Sequence, residues 1–184
     1  MKNKLILLFA ALCTLAFAAC EGDGDADYGF GKIYMPQAVS TGGLNNSYAV
    51  PSGGGEDTRN FRIERGTVRV ILGVMRSGKL SDRRGYTVEV YTSDEDTAAA
   101  VAAYGGEAMP AGLCRLPDAV SVPEGRAGGT FYLDIPVSAL SGPEYAGRKF
   151  VISVGIRNPS AWELAATGTR TAVILDVDAL KALL

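Results

Sequence analysis

Tyr86-Thr87-Val88-Glu89-Val90-Tyr91-Thr92 alternates strictly, with Thr87, Glu89 and Tyr91 on one face and Tyr86, Val88, Val90 and Thr92 on the other. A period of two with one wet and one apolar face is the pattern of a half-buried strand. Upstream, Thr67-Val68-Arg69-Val70-Ile71-Leu72-Gly73-Val74-Met75-Arg76 begins with the same alternation, and Ser77-Gly78 begins a turn between the two runs. Further strands are predicted at Lys32 to Pro36, Leu113 to Pro117, Ala119 to Pro123, Gly129 to Val137, Lys149 to Ile156 and Thr169 to Val177. Glycine, proline and serine clusters separate them, as turns do. Pro36 marks an edge or a strand end, because proline donates no ladder hydrogen bond. Residues 40–56 are polar and glycine-rich and read as a long loop or two weakly specified strands. One helix is predicted: Asp94-Glu95-Asp96-Thr97 leads into Ala98 to Tyr104 and Gly105, an acidic start followed by alanines and a terminal glycine. Many short strands and little helix predict an all-β, antiparallel two-sheet sandwich of about seven to nine strands with one short helix.

Toward the amino terminus the character changes. Lys2 and Lys4 precede an unbroken apolar run from Leu5 to Ala19, the charged and hydrophobic regions of an export signal. Fifteen helical residues reach only about 22 Å, short of a hydrocarbon core of about 30 Å, so the run is too short to span a membrane. It ends Leu15-Ala16-Phe17-Ala18-Ala19-Cys20, which resembles the bacterial lipobox, with Phe17 where leucine is usual. That resemblance implies cleavage before Cys20 and acylation of its thiol; the alternative is an ordinary signal cut near Ala16-Phe17-Ala18, leaving Cys20 a free thiol. The predicted organisation is a lipoprotein signal at residues 1–19, a flexible tether at 20–31 and one sandwich domain at 32–184. The tether opens Glu21-Gly22-Asp23-Gly24-Asp25-Ala26-Asp27, too polar to bury area. In Bacteroidetes lipoproteins a similar acidic stretch accompanies export to the outer face of the outer membrane, which implies a lipid-anchored domain facing the exterior. Asp23, Asp25 and Asp27 also have the spacing that opens a calcium loop, but Tyr28 and Tyr34 stand where that loop needs glycine and glutamate.

The 184 residues carry 18 basic and 20 acidic side chains, a net charge of −2, and no basic stripe is evident. Nucleic acid is therefore not an expected partner. Histidine is absent, which removes the commonest general base and metal ligand. No phosphate loop or metal-ligand cluster is evident, and no cofactor is expected. Of three cysteines, only Cys114 falls within the predicted domain, where it reads as a small buried hydrophobe. Asp94, Glu95 and Asp96, or Asp176 and Asp178, supply the carboxylates a glycosidase needs. The first group suits a helix start and the second ends a strand, so no catalytic residue is assigned. Ser121 has no evident base.

The order Lys32 to Ala38, Leu72-Gly73-Val74, Ser77-Gly78, Tyr86-Thr87-Val88, Leu116-Pro117, Val120 to Gly125, Phe150-Val151-Ile152 and Val173 to Val177 resembles a domain of unknown function in Bacteroidetes surface lipoproteins. In that family the domain is immunoglobulin-like and often precedes a glycoside hydrolase or a carbohydrate-binding module. Ending at Leu184, this sequence reads as a stand-alone copy. The resemblance implies a non-catalytic module that supports glycan binding or processing, with a structural or adhesive protein–protein module as the alternative and a glycoside hydrolase as a weaker one. For a sugar, Trp162 in Asn158-Pro159-Ser160-Ala161-Trp162-Glu163 is the best aromatic platform; the reading favoured over it is a cap folded back over the sandwich end. Tyr28, Tyr34, Tyr48 and Tyr104 are further aromatic candidates that spacing leaves open.

Overall fold

The computed structural model describes residues 31–40, 43–44, 47–78 and 82–184. The leader, Cys20, the acidic stretch and Tyr28 lie outside the described residues.

Two sheets face one another. The five-stranded one has the order β10 (Gly128–Pro136), β6 (Thr67–Arg76), β1 (Lys32–Tyr34), β12 (Glu163–Leu164), and β5 (Phe61–Glu64) also pairs with β6. The six-stranded one runs β4 (Ser47–Val50), β13 (Arg170–Asp176), β11 (Lys149–Arg157), β7 (Tyr86–Thr92), β9 (Ala119–Val122), with β8 (Glu107–Ala108) against β11. A separate pair joins β2 (Val39–Ser40) to β3 (Gly43–Leu44). Alternation decides which side chains meet between the sheets: Val68, Val70, Leu72 and Val74 of β6 and Phe131, Leu133 and Ile135 of β10 are buried from one side. Val88 of β7, Phe150, Val154 and Ile156 of β11, and Val173 and Leu175 of β13 are buried from the other, in the same cluster. Each such side chain contributes about 1.5–3 kcal/mol on burial, so this layer is what holds the sheets together.

The long pairings, β6 with β10 and β11 with β13, are antiparallel as predicted. Three short ones are parallel: β1 with β12, β8 with β11 and β4 with β13. All three join segments far apart in sequence, where no tight hairpin dictates direction.

The predicted helix is α1 (Asp94–Tyr104): the Ser93 hydroxyl accepts from the Asp96 N–H at 3.1 Å, and Gly105 ends it at φ 73°. It lies on the outer face of the six-stranded sheet, where Ala100 packs with Val151 and Ala172, and Thr97 Oγ1 accepts from the Ser153 N–H at 3.0 Å. That cover explains why β11 is apolar on both faces. Among the described residues there are two more short helices beside the one predicted, α2 (Val137–Leu140) and α3 (Val177–Lys181). Leu113 to Pro117, predicted as a strand, makes only one bridge, Arg115 to Asp134. Gly112 turns the chain just before it at φ 82°, and Pro117 has no N–H with which to extend the ladder.

Candidate functional site

β11 ends at Arg157, and Asn158 turns the chain at φ 49°. Ser160 then ties the loop to β7: its N–H donates to the Thr87 carbonyl at 2.9 Å, and its hydroxyl accepts from the Thr87 N–H at 2.9 Å. Trp162 follows at φ 60°, after which β12 joins the opposite sheet beside β1. The loop therefore crosses from one sheet to the other over the end of the sandwich, and Trp162 sits half-buried against the core there. Its ring meets the Tyr86 ring edge-on at 5.5 Å, with the guanidinium groups of Arg76 and Arg84 at 4.4 and 5.1 Å from its centroid. A Cβ on Gly31 would lie 2.7 Å from Trp162 Cδ1, so the backbone of residue 31 also approaches the indole. Arg76, only 6% exposed, donates to the Asp82 carbonyl at 2.9 Å. Hydrogen bonds from Arg84 hold the Asp82 carboxyl down at about 2. Burial pushes the Tyr86 hydroxyl up to about 12, against the opposing charge of Arg76, and that hydroxyl donates to the Ala127 carbonyl at 3.1 Å.

The carboxylates considered for catalysis lie at helix starts. Asp94, Glu95 and Asp96 form the first turn of α1, and Asp96 pairs with Arg170. Asp176 caps α3 by accepting from the Ala179 N–H at 3.0 Å, and Asp178 accepts from the Gly147 N–H at 3.0 Å. Ser121 is exposed on β9, and its hydroxyl lies 3.5 Å from that of Thr87. Cys114 is half-buried against the core, and burial pushes its thiol up. Tyr34 and Tyr48 spend their hydroxyls on Met75 Sδ at 3.1 Å and the Ile71 carbonyl at 3.0 Å; Tyr104 is exposed at the end of α1. Among the described residues no three His, Cys, Asp or Glu side chains are grouped to hold a metal.

Sequence reasoning passed over a grooved, polar and aromatic surface, the outer face of the five-stranded sheet. Arg69 lies at its centre. Nη1 donates to Glu64 at 2.9 Å and Nε to Asp134 at 3.1 Å, while the guanidinium carbon lies 3.8 Å from the centroid of the Tyr132 ring. A groove of about 450 Å³ runs along this aromatic, bordered by Arg69, Arg115, Ser121, Thr130 and Asp134. An adjoining depression of about 680 Å³ extends it to Glu64, Arg65 and Thr67. An aromatic ring flanked by hydroxyls, carboxylates and guanidinium groups offers both an apolar face and fixed hydrogen-bonding partners, the combination that holds a polar ring-shaped ligand. The signal in the sequence was the outward register of Arg69, Tyr132 and Asp134. What it lacked was the pairing of β6 with β10, which brings residues more than sixty positions apart into one cluster.

No protein-family model matches the chain, and no curated protein matches it. Solved structures do resemble it in fold. A multidomain protein from Bacteroides ovatus that includes DUF1735 superposes with a TM-score of 0.52 at 12% identity, covering 78% of this chain and 44% of that one. A provisionally named carbohydrate binding protein from Bacteroides ovatus ATCC 8483 gives 0.50 at 12%, covering 79% and 36%. A two-domain protein of unknown function from Bacteroides fragilis also gives 0.50 at 12%, covering 79% and 45%. This chain spans less than half the length of each of these three. At such identities the likeness is one of fold. None of the three bears the description of an enzyme.

Proposed function

We propose that this chain is a non-catalytic module that binds glycan at the surface of a Bacteroidetes-type cell, anchored in the outer membrane through acylated Cys20 and facing the exterior. The observation that carries the glycan reading is the Tyr132–Arg69 stack beside the groove on the outer sheet face. It presents an aromatic surface and several polar groups on a rigid sheet, the arrangement a sugar ring needs. The provisional description of one structural neighbour as a carbohydrate binding protein supports the same reading, and the anchor rests on the lipobox-like end of the leader. Trp162 is the second aromatic contact proposed, at the sandwich end.

Isothermal calorimetry against a polysaccharide panel tests this. Binding of at least one polymer, weakened about tenfold or more by Tyr132→Ala and less by Trp162→Phe, is expected; silence across the panel removes the reading. Incorporation of labelled palmitate, lost in Cys20→Ala, tests the anchor separately.

A second reading, pairing with another surface protein, has its own support in β5. This short strand carries Ile63, 43% exposed, where the face of an inward strand would bury it, and edges of that kind accept added strands. Capture of one partner from outer-membrane extract, undisturbed by added sugars and lost in Ile63→Lys, would favour it.

A further inference from the structure

Cross-strand register lines up four residues on the outer face of the five-stranded sheet. Arg62 stands opposite Arg69, Arg69 opposite Asp134, and Asp134 opposite Arg115. Directly opposed residues share a face, with Cβ atoms about 5 Å apart. At about 4.8 Å per strand the row reaches across about 14 Å. Arg65, at the tip of the β5–β6 hairpin, lines the depression that continues the same surface. Here four guanidinium groups face two carboxylates, Glu64 and Asp134, although the chain as a whole carries a net charge of −2.

The charges are unequally satisfied. Arg69 is held by both carboxylates. Arg62 and Arg115 are exposed, and among the described residues neither side chain makes an ion pair, a hydrogen bond or a ring contact. Like charges placed directly opposite one another, as Arg62 and Arg69 are, destabilise a sheet. Arg65 adds a second cost, since it holds φ at 49° in a turn where asparagine or glycine is favoured. Two local penalties on one basic face are accounted for together if an anion occupies it.

We infer that this face reads the acidic groups of its ligand, and that the glycan is a uronate- or sulfate-bearing polymer laid across the Arg62–Arg69–Asp134–Arg115 row with a ring on Tyr132. Arg62 and Arg115, the two free cations at the ends of the row, take the carboxylates or sulfates, since guanidinium forks match both groups in geometry. The inference rests on the glycan-binding reading above and narrows it to one chemical class.

Polygalacturonate and chondroitin sulfate, compared with neutral mannan and pullulan, form the test, by calorimetry on the purified chain. Expected is binding of at least one acidic polymer, weakened about tenfold by Arg62→Ser and again by Arg115→Ser, and falling steeply between 50 mM and 500 mM salt. The two acidic polymers separate carboxylate from sulfate recognition. The melting temperature of Arg115→Ser should match the parent and that of Arg62→Ser should equal or exceed it, since the opposed charge is removed, and Arg115→Lys should recover part of the lost affinity. Binding of neutral polymers alone, or acidic binding indifferent to both substitutions and to salt, overturns the inference while leaving glycan binding in place. No binding to any of the four, or to the wider panel, overturns both.

Discussion

At Trp162 a bulky residue holds φ at 60°, a conformation that costs an L-residue about 1–2 kcal/mol. The surroundings offset that cost: Tyr86 packs edge-on, two arginines lie near the indole, and Ser160 locks the preceding residues to β7. Trp162→Ala relieves none of the backbone strain and removes the packing, so a loss of about 2–3 kcal/mol is expected, below the range for a fully buried tryptophan because the ring is only half-buried. The midpoint of urea unfolding measures it, and an unchanged midpoint would show that the loop does not close the sandwich end. Its neighbour Tyr86 makes a distinct prediction. Burial raises its hydroxyl from the ordinary 10.0 to about 12, so the folded state favours the protonated phenol. The contribution is whole below pH about 10 and is lost as pH rises through about 12. In an alkaline absorbance titration the parent should show a late-ionising tyrosine that Tyr86→Phe lacks, with unfolding and ionisation coming together near the top of that range.

Hairpin β5–β6 closes through Arg65 and Gly66 at φ 49° and 73°, with Glu64 opposite Thr67. Positive φ at both central positions is the pattern of the two-residue turn that matches strand twist and prefers Asn-Gly. Arg65→Asn should therefore stabilise the fold by about 0.5–1 kcal/mol, read as a raised urea midpoint at unchanged slope. If Arg65 belongs to a basic ligand face, the same substitution should weaken acidic-polymer binding while strengthening the fold. The two long strands with the clearest alternation, Thr67–Arg76 and Tyr86–Thr92, were legible to the residue, because each has one face in the core and the other in water. α1 was legible too, from its acidic first turn and terminal glycine. Leu113 to Pro117 was not: its composition suits a strand, but a turn glycine and a proline leave room for a single bridge. The parallel partners were hidden for a different reason, since β4, β8 and β12 have two to four residues each, and their direction is fixed by long connections rather than by their own side chains. The candidate site shared that fate. Arg69, Tyr132 and Asp134 alternate with buried residues along their strands, yet only the non-local pairing of β6 with β10 makes them neighbours.

Across the whole molecule, the absence of histidine sets the pH response. The chain contains none, so no side chain of ordinary pKa changes charge between pH 5 and 8. The resolved shifts widen that window. Asp82 is held down at about 2 by Arg84, so its contribution is present above the ordinary carboxylate pKa and lost only as pH falls through about 2. Cys114 and Tyr86 are both pushed up by burial, so theirs are present below the unfolded pKa and lost only in alkali. With Glu163 also lowered, by its hydrogen bond from Lys32, nothing in this set binds or releases a proton near neutrality on unfolding, so these groups add no slope to the stability curve there. The melting temperature should vary by no more than about 2 °C between pH 5 and 8, as read by scanning calorimetry at fixed ionic strength. A slope inside that interval that persists when Cys114 is replaced would point to a carboxyl raised toward neutrality by the fold, the property of a glycosidase acid, and would favour an enzyme over a binding module. A flat profile together with salt-sensitive capture of acidic polymers would instead tie function to permanently charged guanidinium groups, which hold their ligand at any pH that leaves its carboxylates or sulfates ionised.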